Sequence, residues 1–152
     1  MKTTPAKKTT ITTESSFTLL SQVIDLWQDE LKAELSQYKL SYIEFTVLTS
    51  LLYLREQRNE VTQVNICNYA NMKPMNASIV VRGLQAKGFI KRQEHSIDTR
   101  AKAINFTTEG LKTLQTAVTE VEALNVSFFE TSQAELLKVT KKLEEIRNNK
   151  KN

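Results

Sequence analysis

Helix breakers are nearly missing from this chain, with three glycines and two prolines among 152 residues. Few positions can turn sharply, so a mainly helical protein is expected. A single cysteine, Cys67, rules out an internal disulfide and suits a reducing cytoplasm. A single histidine, His95, excludes a site built from several imidazoles within one chain. No apolar run approaches the roughly 18 residues that a membrane span needs. The opening MKTTPAKKTTITT is charged but lacks the apolar block of a secretory signal. Also missing are a paired acid–base constellation, a nucleophile with a partnering histidine, a Walker-type loop and a metal-ligand cluster. A cytoplasmic protein that is no enzyme, holds no metal or cofactor and makes no membrane contact is therefore expected.

What is present is a core-forming chain with an uneven charge. Hydrophobic residues make up 40%, enough for one packed domain rather than a disordered polymer. The net charge is only +4, yet residues 71–103 carry seven bases (Lys73, Arg82, Lys87, Lys91, Arg92, Arg100 and Lys102) against Glu94 and Asp98. Acidic stretches flank that block on both sides. A basic segment set between acidic ones points to a polyanion, with nucleic acid as the first candidate.

Apolar spacing predicts a helix from Glu14 through Phe17, Leu20, Ile24, Trp27 and Leu31, after a disordered basic tail at 1–13. Leu40-Ser41-Tyr42-Ile43-Glu44-Phe45 reads as a capping box closed by a Leu40/Phe45 staple, starting a helix that runs to about Arg55. Val61-Thr62 opens a short helix that ends near Asn71. Pro74 then starts another, which stops at Gly88. The core face of this last helix is expected to hold Ala77, Val80, Val81 and Leu84, leaving Asn76, Ser78, Ile79 and Arg82 to face elsewhere. Phe89–Gln93 and 102–106 are short enough for two strands, with Ile104 and Phe106 pointing inward. Thr107 caps a long helix through Leu111, Leu114, Val118, Val121 and Phe128. Ser132-Gln133-Ala134-Glu135 opens the final one, and 148–152 is expected to fray.

Helix, short helix, turn, helix and hairpin is the order of a winged helix-turn-helix, whose second paired helix enters the major groove. LSYIEFTVLTSLL at 40–52, VTQVNICNYANM at 61–72, SIVVRGLQAKGFIKR at 78–92 and DTRAKAINFTTEG at 98–110 carry a further likeness. In them the chain resembles the MarR family of bacterial transcriptional regulators, over roughly residues 14–147. The resemblance implies a mainly α fold with a small two-stranded β-wing. It divides the chain into a winged helix-turn-helix region at 38–106 and helical dimerisation regions at 14–37 and 107–147. It further implies a homodimer on a roughly palindromic double-stranded operator, acting as a sequence-specific repressor. The alternative from composition is a winged-helix interaction module whose basic face serves an acidic protein partner.

Candidate contacts follow. Asn76 suits adenine, Arg82 guanine, Ile79 a thymine methyl, and Ser78 phosphate or base edges, while Lys73 and the helix N-terminus suit phosphates. By the resemblance, Arg100 is the arginine that enters the minor groove. Asp98 is expected to hold Arg100, or a neighbouring arginine, in place through charge-assisted hydrogen bonds. Lys91, Arg92 and Lys102 are either phosphate contacts or solubilising charges. His95 is expected to be an exposed wing residue, and Cys67 a buried structural one. Some members of the family bind small aromatic acids between the winged module and the dimerisation helices. Trp27, Tyr38, Tyr42 and Phe45 are the candidates to line such an effector cleft here, against the plainer reading that they are core.

Overall fold

The helices that follow Ser41, Thr62, Thr107 and Ser132 begin where that side chain supplies an acceptor for an unpaired N–H group of the first turn. The computed structural model describes residues 16–151. The expected tail at 1–13 and the side chains of Phe17 and Leu136 lie outside the described residues. In chain order come α1 (Ser16–Ser36), α2 (Tyr42–Gln57), α3 (Gln63–Ala70), α4 (Pro74–Ala86), β1 (Ile90–Glu94), β2 (Lys102–Phe106), α5 (Thr108–Phe128) and α6 (Gln133–Lys151).

At α2 the Ser41 hydroxyl accepts from the Glu44 N–H at 3.3 Å, and the Glu44 carboxylate accepts from the Ser41 N–H at 2.9 Å. The same reciprocal pair opens α3, with Asn65 in the role usually filled by glutamate. Its side-chain oxygen accepts from the Thr62 N–H at 2.9 Å, while its own N–H reaches the Thr62 hydroxyl at 3.4 Å. Ser132 and Glu135 repeat the device ahead of α6. Lys73 precedes α4 without a side-chain cap, and Pro74 takes the first turn, where it has no N–H to leave unpaired. Past the end of α4, Gly88 adopts φ +75°, a left-handed conformation that favours glycine.

Leu35, Leu48, Leu51, Ile66, Val81, Leu84, Ile104 and Leu114 are sealed from solvent in one cluster. It draws on the second half of α1, on α2 to α4, on the hairpin and on most of α5. Each such side chain contributes about 1.5–3 kcal/mol through burial. The hairpin is antiparallel, pairing Ile90 with Phe106, Arg92 with Ile104 and Glu94 with Lys102. Ile104 and Phe106 face the core as the alternation predicts.

Three details differ from expectation. Phe89 precedes the first strand rather than opening it, because its N–H closes the end of α4 on Leu84 and its carbonyl accepts from the Thr107 N–H at 3.0 Å. The segment before α3 joins the hairpin: the Ile104 N–H donates to Val61 at 2.7 Å, and Thr62 bridges to Ala103. Finally, α6 continues to Lys151, where a frayed tail is expected from 148. Neither glycine nor proline stands there to stop it.

Candidate nucleic-acid interface

The recognition helix α4 packs on the core through Ala77, Val81 and Leu84, with Val80 partly buried beside them. This leaves Asn76, Ile79 and Arg82 exposed and Ser78 half-buried, as the periodicity predicts. Met75 belongs to the same outward face at 75% exposure. Sequence reasoning gave it no contact, although its spacing from Ile79 was available. Arg82 folds along its own helix, donating to the Ser78 hydroxyl at 2.9 Å and to the Ser78 carbonyl at 3.3 Å. The two residues form one preset unit rather than two independent probes.

The far end of α4 is clamped. The Lys87 ammonium lies 2.7 and 2.8 Å from the two Glu44 oxygens and 2.8 Å from the Lys39 carbonyl. Burial pushes the Glu44 carboxyl up, but hydrogen bonds from Lys87 and Ser41 outweigh it, and the group sits below the ordinary carboxylate range. This pair joins the start of α2 to the end of the recognition helix. Gly83 lies beside it. A methyl group there would meet a Glu44 oxygen at 3.6 Å, an ordinary contact, so no close approach requires glycine at 83.

Gly110 is different. A Cβ on it would lie 1.9 Å from the Phe89 carbonyl oxygen. The N-terminus of α5 presses directly on the start of the hairpin, and Thr107 fastens the junction. Its hydroxyl donates to the Gly88 carbonyl at 2.6 Å and accepts from the Gly110 N–H at 3.0 Å. The Phe-Thr-x-x-Gly stretch is therefore a fastening between wing and scaffold.

The wing tip is ordered by groups to which sequence reasoning gave other roles. His95 is half-buried rather than exposed. Its Nδ1 accepts from the N–H groups of Ile97 at 3.2 Å and Asp98 at 3.1 Å, and its Nε2 lies 3.6 Å from Glu60. Glu60 also accepts from the backbone N–H and hydroxyl of Ser96. The Ser96 hydroxyl foremost, then its N–H and the nearby His95, hold the Glu60 carboxyl below its ordinary range against an opposing desolvation. Asp98 accepts from the backbone N–H of Arg100 at 3.0 Å, not from its guanidinium. A short carboxylate two residues ahead reaches that N–H more easily than the end of a long flexible side chain. Among the described residues no hydrogen bond or ion pair holds the Arg100 guanidinium, which is exposed at the tip.

The remaining cations divide. Lys73 and Lys91 are exposed. Arg92 donates to Gln85 of α4 at 2.7 Å, tying the first strand to the recognition helix, and Lys102 pairs with Glu94 across the hairpin. Cys67 is buried, as expected. Of the aromatic candidates, the structure brings Trp27 and Tyr42 together edge to face at 6.4 Å between centroids, and the Trp27 indole donates to Asn125 at 2.7 Å. Tyr38 and Phe45 pack against the core. Beyond Trp27 runs an apolar groove of about 920 Å³ between α1, α5 and α6, lined by Leu20, Val23, Ile24, Phe129, Leu137 and Leu143.

Known proteins agree with this geometry. Residues 36–125 match the family model of the ArnR1-like winged-helix domain. An uncharacterized HTH-type transcriptional regulator, YdcH of Bacillus subtilis (strain 168), is 32% identical over 111 residues, covering 73% of this chain and 76% of that one. Among solved structures, a MarR-family transcriptional regulator from Rhodococcus sp. RHA1 superposes with a TM-score of 0.73 at 22% identity, over 86% of this chain and 90% of its own. The S. aureus MepR–DNA complex gives 0.71 at 20% identity, over 89% and 96%. A winged module with an outward-facing α4 and an ordered wing, with the fold that MarR-family structures share, makes this chain a member of the ArnR1-like winged-helix family of HTH-type transcriptional regulators.

Proposed function

We propose that the chain is a cytoplasmic, homodimeric repressor. In this reading α4 enters the major groove and the wing tip the minor groove of each half of a roughly palindromic operator. The observation that carries it is the Arg100 guanidinium, left unengaged at the end of a wing whose backbone is otherwise tied down. An ordered tip with a free cation suits the enhanced negative potential of a narrow minor groove. Asn76, Ser78, Ile79 and Arg82 then meet base edges, with Lys73 and Lys91 on phosphates. Arg92 and Lys102, already paired within the chain, are weaker phosphate contacts, and Asp98 acts on the Arg100 backbone.

Two copies are supported by the groove between α1, α5 and α6, whose apolar lining the described residues leave uncovered. The second half of the reading is a small-molecule effector near Trp27, Tyr38, Tyr42 and Phe45, at the junction of α1 and α2. Because Trp27 is the only tryptophan, its fluorescence reports directly on an aromatic carboxylic acid titrated into the protein.

A gel-shift titration with the DNA upstream of the gene tests the main reading. Arg82→Ala and Arg100→Ala are each expected to weaken binding by about 10-fold or more, the worth of one good base or groove contact. Wild-type affinity in both variants would remove these residues from the interface.

A further inference from the structure

The outward face of α4 is not uniformly polar. Met75 is 75% exposed and Ile79 63%, and neither is covered by any part of the described chain. Single exposed apolar residues are ordinary on a protein surface. Two of them four residues apart, with Arg82 three further on, make one continuous stripe along the helix. This stripe lies within the block where seven bases face two acids. Its occupant must be anionic overall and yet present apolar groups at fixed positions.

The major groove of DNA meets both conditions. Phosphates rim it, and the C5-methyl of thymine is the apolar group that base edges present on its floor. Four residues of helix advance about 6 Å, and base pairs rise about 3.4 Å per step, so the two side chains match methyls about two base pairs apart. We propose that Met75 and Ile79 read a pair of thymine methyls so spaced in each half-site. The proposal rests on α4 being the recognition helix and adds the base class that its apolar members select. The two differ in stringency. Ile79, branched at Cβ and stiff, demands one methyl position, whereas the unbranched thioether of Met75 adapts to a neighbouring one.

The test begins with a duplex enriched from a randomised library by the full-length protein. That duplex is then synthesised with deoxyuridine in place of thymine, one position at a time, which deletes only the methyl. Binding is expected to fall about four-fold at each of two positions per half-site, the worth of one buried carbon. Met75→Ala and Ile79→Ala are each expected to become indifferent to one of those replacements while still distinguishing the enriched duplex from random DNA. If the wild-type chain selects its duplex but binds the uracil form equally well, methyl reading is wrong and the recognition helix stands. If no duplex is enriched, both fall together. Variants that keep the full thymine preference also overturn the proposal. So do variants that alter self-association of the free protein while leaving DNA selection intact, since the stripe would then be a contact between copies.

Discussion

The winged module and the terminal helices use similar apolar residues to opposite ends. In the module, Leu48, Leu51, Ile66 and Leu84 are closed off from water, and reciprocal caps start α2 and α3. Along the first half of α1 and along α6, Leu20, Leu26, Leu137 and Leu143 stand 55–61% exposed. One region closes its core among the described residues, and the other leaves its apolar face uncovered there. Leucine alone does not separate the two, with four leucines in α2 and three in α6. The difference is whether a facing element lies among the described residues of the same chain.

The sharpest way to break the complete half is Gly110→Ala. The added methyl collides with the backbone of Phe89, which cannot move without shifting the wing. A loss of about 3 kcal/mol in unfolding free energy is expected, measured by urea denaturation, together with weaker DNA binding. The incomplete half responds differently. Leu143→Glu, on the apolar groove, is expected to leave the fold of the monomer intact. In sedimentation it should abolish self-association, and operator binding should weaken on the order of 100-fold because an unpaired charge would be buried between copies. A dimer that survives this change places the interface elsewhere.

A smaller effect separates the module's two ends. Glu44→Ala removes the capping carboxylate of α2 together with the partner of Lys87. A cost of about 2 kcal/mol is expected. Acid should reproduce part of this loss. The Glu44 carboxyl is depressed in the folded state, so its contribution is complete above the ordinary carboxylate range and disappears as pH falls through its lowered value. Denaturation midpoints of wild type and Glu44→Gln followed from neutral to acidic pH should therefore converge. Parallel curves would exclude Glu44 as the titrating group.

Local signals carried most of the fold. Ser41 with Glu44, Ser132 with Glu135, and Gly88 after α4 each declare a helix end within four residues, and all act as their spacing predicts. The face of α4 was equally legible from its period. What escaped were pairings between distant residues. Nothing near His95 in the sequence announces Glu60, which lies 3.6 Å from its ring from a position 35 residues earlier. The bridge from Thr62 to Ala103 is hidden for the same reason. Asp98 was misread on a narrower point: its carboxylate satisfies a backbone donor, and charge alone does not indicate which atom of Arg100 it meets. Met75 lies on the same outward face as Ile79, at the first turn of α4.

The anchorage of Ser96 on Glu60 has a mechanical meaning. A hairpin held only at its base can swing, and the distance its tip spans is then elastic. Here the tip is also tethered to the segment ahead of α3, while Arg92 and Gln85 brace one strand against α4. The molecule is built as a caliper with a locked jaw. On the proposed reading, with α4 and the wing tip in successive grooves, the span between these two ends is the gauge that a duplex must match.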